Sequence, residues 1–140
     1  MIIMQKRILC ALLVALLCSS AFAWKKEAHF ISLPLIEGCG IYSSVRMLQD
    51  SHSSNTKASA ITSLGLLGTN AAIGCVAVFG PQTNYMKLRQ IHRYVGFALT
   101  AAAIWMSVSA GNDAHVQNPD RNIAYGYALL TSIPLILFSF

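Results

Sequence analysis

The sequence predicts an all-α fold: a transmembrane four-helix up-down bundle made of two tandem helical-hairpin repeats, following a signal peptide. Three observations predict it. The 140 residues are 55% hydrophobic and only 11% charged, with a mean hydropathy of +0.55, which is too apolar for a water-soluble domain of this length. Four apolar stretches follow the N-terminal segment, each near the ~20 residues that a helix needs to cross a hydrocarbon core. The second half of the chain also repeats the chemistry of the first at an offset of 63 residues.

Residues 1–23 read as a secretory signal, with Lys6 and Arg7 as the positive start, Ile8 to Leu17 as the apolar centre and Ala21-Phe22-Ala23 as the cleavage site. The helical membrane domain is then 24–140. Cys18 follows Leu16 and Leu17 rather than small residues, which argues against lipid attachment. Only Cys39 and Cys75 lie beyond the signal, so the chain is no disulfide scaffold; both read as small packing residues, with a single bridge as the alternative.

The first apolar segment, Phe30 to Leu48, is the weakest, since Pro34, Glu37, Gly38 and Gly40 interrupt it. A carboxylate in lipid costs about 2.5 to 3.5 kcal/mol on insertion scales, so Glu37 should face protein or the interface. The second, Ala58 to Phe79, carries Gly65, Gly68 and Gly74, which suit close packing of membrane helices. His92 to Ala110 and Ile123 to Phe140 complete the set. Long runs without alternation exclude strands. The connections Gln49 to Lys57, Gly80 to Ile91 and Gly111 to Asn122 are short and polar, with Gly80-Pro81 and Asn118-Pro119 as breakers, so sequential helices should be antiparallel neighbours.

The repeat is the most informative feature. Setting 29–56 on 92–119 matches His29 with His92, Ile41 with Ile104, Ser44 with Ser107, Val45 with Val108, Asp50 with Asp113, His52 with His115 and Asn55 with Asn118. Every histidine in the chain falls in the match. Repeat one covers about 29–91 and repeat two about 92–140, and two membrane helices per repeat relate the copies by an axis along the membrane normal. Helices one and three are then parallel and diagonal, with His29 and His92 on one membrane face and His52 and His115 on the other. Two neutral imidazoles brought from diagonal helices can ligate one iron from opposite sides, and a porphyrin plane suits the apolar space between helices. The expected cofactor is haem b, held by His29 and His92.

The stretch from Lys87 to Gly96, Lys-Leu-Arg-Gln-Ile-His-Arg-Tyr-Val-Gly, resembles the Arg-x-Ile-His-Arg-x-x-Gly helix start of b-type membrane cytochromes, broadly the cytochrome b561-like families. The resemblance covers one helix. It implies that His92 is an axial haem ligand and that Gly96 makes room for the macrocycle; at the corresponding place after His29 the chain has Leu33. The 23-residue separation within His29–His52 and His92–His115 corresponds to roughly 35 Å of helix, more than the ~30 Å hydrocarbon core, so at least one histidine pair is interfacial. The other pair has its own candidate chemistry. Asp50 with His52, and Asp113 with His115, could bind a divalent metal between the matched loops or form an Asp-oriented proton relay; the plainer reading has these residues ending helices and facing water.

Topology gives two opposed indications. The His29/His92 face carries Lys25, Lys26, Glu27, Lys87, Arg89 and Arg93, net +4, against zero for Arg46, Asp50, Lys57, Asp113, Asp120 and Arg121 on the other. The positive-inside rule puts the first face in the cytoplasm, whereas a cleaved signal puts Trp24 outside. A first helix that does not span, or assembly with partner subunits, would reconcile them.

The expected function is a small integral membrane haem-binding or electron-transfer subunit in an inner or plasma membrane, reached through the secretory pathway. Its partners are the lipid bilayer and other membrane subunits or further copies of itself. The alternative is a non-catalytic structural subunit of a larger membrane complex without cofactor. A small transporter is less supported, since only Glu37, Asn70 and a few hydroxyls lie deep enough to line a path. The net charge of +5 is scattered between apolar runs, which excludes nucleic acid, and there is no GxSxG, HExxH or phosphate-cradling loop.

Overall fold

The computed structural model describes the backbone of residues 25–80 and 85–138, and the side chains of 34–76, 79–80 and 85–133. The expected signal segment lies outside the described residues. Four helices follow in order: α1 (Lys25–Asp50), α2 (Ser54–Phe79), α3 (Tyr85–Asn112) and α4 (Asn118–Phe138), with no strand among the described residues. The chain divides into two compact units at Leu35/Ile36, inside α1. The first unit is described from Lys25, as helix; the second, from Ile36, holds the rest of α1 and the other three helices.

Each helix starts earlier than the apolar runs suggest, because its opening turns are polar. Ser53 caps α2, its hydroxyl accepting the Thr56 N–H at 3.4 Å, so the helix begins before Ala58. Pro119 lies in the first turn of α4, where its missing N–H costs no bond. Pro34 and the glycines do not break α1.

In the second unit α3 lies against both α2 and α4. The core has small side chains: Ala60, Ala103, Ala110 and Ala124 around Met47, Met106, Leu67, Leu99, Val116 and Tyr127. Beside them Ser43, Ser44, Ser59, Ser63, Thr100 and Thr131 are buried, while Ile41, Tyr42, Val45, Ile61, Ile104, Trp105 and Val108 are exposed. Many large apolar groups thus face outward while small polar ones are buried beside the apolar core. Exposed large apolar groups together with buried small polar ones suit helices packed closely in lipid.

Two helices, α2 over Ser54–Val76 and α3 over its full length, are long and apolar enough to cross a membrane. Only 28% and 44% of their most apolar windows are buried within the protein, so neither is a helix enclosed by a soluble core.

The glycines depart from expectation in an instructive way. Gly40, read as an interruption, is a close approach of α1 to its neighbours: a Cβ there would lie 2.6 Å from the Tyr127 ring and 2.7 Å from Leu67 Cδ1. Gly65 and Gly68, read as packing positions, are exposed, and a Cβ on either meets nothing within 4 Å.

Candidate functional site

The most highly bonded region lies where α1 passes into α2 and α3 into α4. Asp113, just beyond α3, is buried and organises both connections. Its Oδ2 accepts the Ser51 hydroxyl at 2.5 Å and its Oδ1 accepts the His115 N–H at 3.0 Å. The Ser51 hydroxyl bond, with further donors from His115 and the Ser53 backbone, outweighs burial and holds the carboxyl at a pKa of about 2. Arg121 reaches back to donate to the Asp113 carbonyl at 2.5 Å. These bonds fix the loop positions of His52 and His115.

The two imidazoles stack, with ring centroids 4.4 Å apart and planes within 6°. His115 Nδ1 lies 3.5 Å from Asp113 Oδ1, and the His115 side chain is 60% exposed. Residues matched at the 63-residue offset therefore meet. Asp50 is turned elsewhere, to Arg46 at 2.7 Å, and Arg46 also forks onto Asp120 with two bonds of 3.2 Å. Asn55 ties the start of α2 to α3, donating to Ser109 Oγ at 2.8 Å and accepting Trp105 Nε1 at 3.2 Å. Among the described residues no three His, Cys, Asp or Glu side chains gather as metal donors.

His92 is placed differently. It lies two turns inside α3 rather than at the helix start, half-buried, because α3 begins at Tyr85. Its ring is beside α2 at Gly74, where an added Cβ would stand 3.9 Å from His92 Cε1. One turn further along α3, Gly96 is half-buried and a Cβ there meets nothing within 4 Å. The His92 ring thus lies within ordinary van der Waals reach of Gly74, while Gly96, one turn on, has no neighbouring atom over its Cα. His29 lies in the helical part of the first unit, and its side chain is outside the described residues.

Other polar groups enter the interior. Glu37 Oε1 and Asn70 Oδ1 are buried atoms without a hydrogen-bond partner. Cys39 and Cys75 are both free thiols. Sequence reasoning missed the Arg46–Asp120 fork, which joins α1 to α4 across 74 residues. The only available signal was a buried-helix arginine opposite an acidic first turn.

Compared with family models, curated proteins and solved structures, the chain has no match.

Proposed function

We propose that the chain is a small four-helix integral membrane subunit that binds haem b and transfers electrons. His92 is the axial ligand of this reading; His29, the second ligand expected from the 63-residue register, belongs to the first unit. The observation that carries this reading is His92 set half-buried between Gly74 and the open Gly96. When bound, haem b would supply one-electron exchange between ferric and ferrous iron. The protein's part is to offer a neutral imidazole, keep water from the iron and hold the group among small side chains.

The two-repeat architecture has support of its own. Through α1 and α3, exposure follows the 63-residue offset: Gly40 and Ala103, Ser44 and Ser107, and Met47 and Ala110 are buried, whereas Ile41 and Ile104, Tyr42 and Trp105, and Val45 and Val108 are exposed. With one residue added for the longer second connection, α2 and α4 agree as well, since Thr56 and Asp120, Ala60 and Ala124, Ser63 and Tyr127, and Leu67 and Thr131 are all buried. Two hairpins that bury the same positions favour four spanning helices over two. The stacked His52 and His115 would then lie beside the axis relating the repeats.

The test is haem retention. His92→Ala should abolish the b-type spectrum and His115→Ala should leave it, with helicity unchanged in both; equal loss from the two changes would reject His92 as the ligand. A second reading, a structural subunit without cofactor, is favoured by one observation, the open Gly65 and Gly68 on the outer side of α2, which would admit a neighbouring membrane helix.

A further inference from the structure

We propose that the opening turns of α3, from Tyr85 to Phe97, form a docking surface for anionic phospholipid headgroups at one face of the membrane. The surface depends on the reading of α3 as a membrane-spanning helix and is independent of haem.

Length and charge divide α3 in two. Its 28 residues, at about 1.5 Å each, measure roughly 42 Å and exceed a hydrocarbon core of ~30 Å by about two turns. Charge marks the end that projects, since Lys87, Arg89 and Arg93 all precede residue 94 and α3 carries no charge beyond it. Residues 94–112 alone cover about 28 Å, a full crossing. The turns before them therefore pass through the headgroup layer. Burial agrees: the buried residues of α3 run from Leu99 to Ala110, whereas from Tyr85 to Ala98 no side chain is fully buried.

The projecting turns have the composition that this layer selects. All three cations are exposed, and so are Tyr85, Met86, Ile91, Tyr94 and Phe97, with Met86 at 72% and Tyr94 at 67%. Tyrosine rings settle at the membrane–water boundary, apolar side chains enter the acyl region beneath it, and lysine and arginine extend their charged ends to the phosphates.

Charge complementarity makes the partner anionic. The sequence has no Asp or Glu between Asp50 and Asp113, so neither α2 nor α3 carries a carboxylate. At the opposite end of the bundle Arg46 has Asp50 and Asp120 beside it, at 2.7 and 3.2 Å. Three cations near the start of a helix without an acid in its first turn oppose the helix dipole, and Arg89 and Arg93, four residues apart, repel each other. Net-negative headgroups relieve both penalties, which zwitterionic ones do only weakly.

Native mass spectrometry of the full chain in detergent, titrated with phosphatidylglycerol or phosphatidylcholine of the same acyl chains, reads the affinity for the first bound lipid. Phosphatidylglycerol should bind about tenfold more tightly or better, and its advantage should shrink as ionic strength rises. Each cation near an anionic surface contributes about fivefold, so Lys87→Gln and Arg89→Gln should each weaken phosphatidylglycerol binding several-fold. Changing Lys87, Arg89 and Arg93 to Gln together should bring it to the phosphatidylcholine value. Lys57→Gln, at the opposite end, should change nothing. Glutamine favours helix, and retained helicity separates loss of the surface from loss of the fold. A chain that stays in solution without detergent would reject the membrane reading and the surface with it. In a detergent-dependent chain, a preference that survives the triple change would overturn the surface alone. Equal affinity for the two lipids would also overturn it and leave the patch to an acidic protein segment.

Discussion

Where α1 turns into α2 and α3 into α4, side chains from the four helices and their connections are joined by charge-assisted bonds, Asp113 to Ser51 and Arg46 to Asp120 and Asp50, and by the neutral bond of Asn55 to Ser109. Around His92, two turns into α3, glycines stand instead: Gly74 of α2 within reach of the ring, and Gly96 with nothing over it. One region fixes the bundle and the other leaves room in it. The difference teaches that residues matched at the 63-residue offset need not share a role: the histidines after the helices are held against each other, whereas His92 lies along α3 beside Gly74 of α2.

The largest effect should come from disturbing the tight contact at Gly40. Gly40→Leu drives a side chain into the Tyr127 ring and Leu67, and overpacking of this kind costs about 1 to 3 kcal/mol or more, read as a lowered thermal midpoint in detergent. An unchanged midpoint would mean that α1 does not pack against α2 and α4 as described. Gly96→Leu is the complementary change. It should reduce bound haem severely with little loss of midpoint, because the space it fills is empty of protein.

Asp113→Asn comes next. Hydrogen bonds to charged groups contribute about 1.5 to 3 kcal/mol, and since the asparagine keeps an acceptor oxygen while losing the charge, only part of the Ser51 and His115 bonds is lost. It also removes a pH dependence. The folded Asp113 carboxyl lies at about 2 against an ordinary 3.8, so its contribution to stability is complete above about pH 4 and is lost as the pH falls towards 2. Acid unfolding of the Asn variant should lack that component. If it titrates like the unaltered chain, the loop connections are not held by this carboxylate.

Smaller again is Arg46→Lys, which keeps the charge but loses the fork onto Asp120; a modest fall in midpoint is expected. Gly65→Ala and Gly68→Ala should have the least effect, neutral or slightly stabilising, since nothing lies near either Cβ and alanine favours helix. A clear loss of stability there would reveal a partner helix on this face and strengthen the structural-subunit reading.

How far the sequence carried can be judged from particular residues. Apolar run length was enough to count the helices, but not to bound them: Ser53, Tyr85 and Pro119 lie in polar stretches that read as loop, since capping and first-turn chemistry is carried by polar residues. Gly40 and Gly65 exchanged roles because composition shows where backbones can approach, whereas the facing side chain decides where they do. The 63-residue offset brought out His52 and His115 together, since identical residues at one spacing are visible without a structure. Arg46 and Asp120 share no such spacing, and their pairing depends on how α1 and α4 lie together. The room beside His92 could be expected from Gly96 through the family resemblance, but Gly74 comes from another helix.

The central claim, that the space around His92 holds haem, is tested most directly by an oxidised-minus-reduced visible spectrum of the purified chain in detergent, with a pyridine haemochrome assay on the same sample. The account predicts sharp b-type bands at near one haem per chain. A colourless protein that stays colourless when supplied with haemin during expression, and co-purifies with other membrane subunits, would contradict it and leave the structural reading in its place.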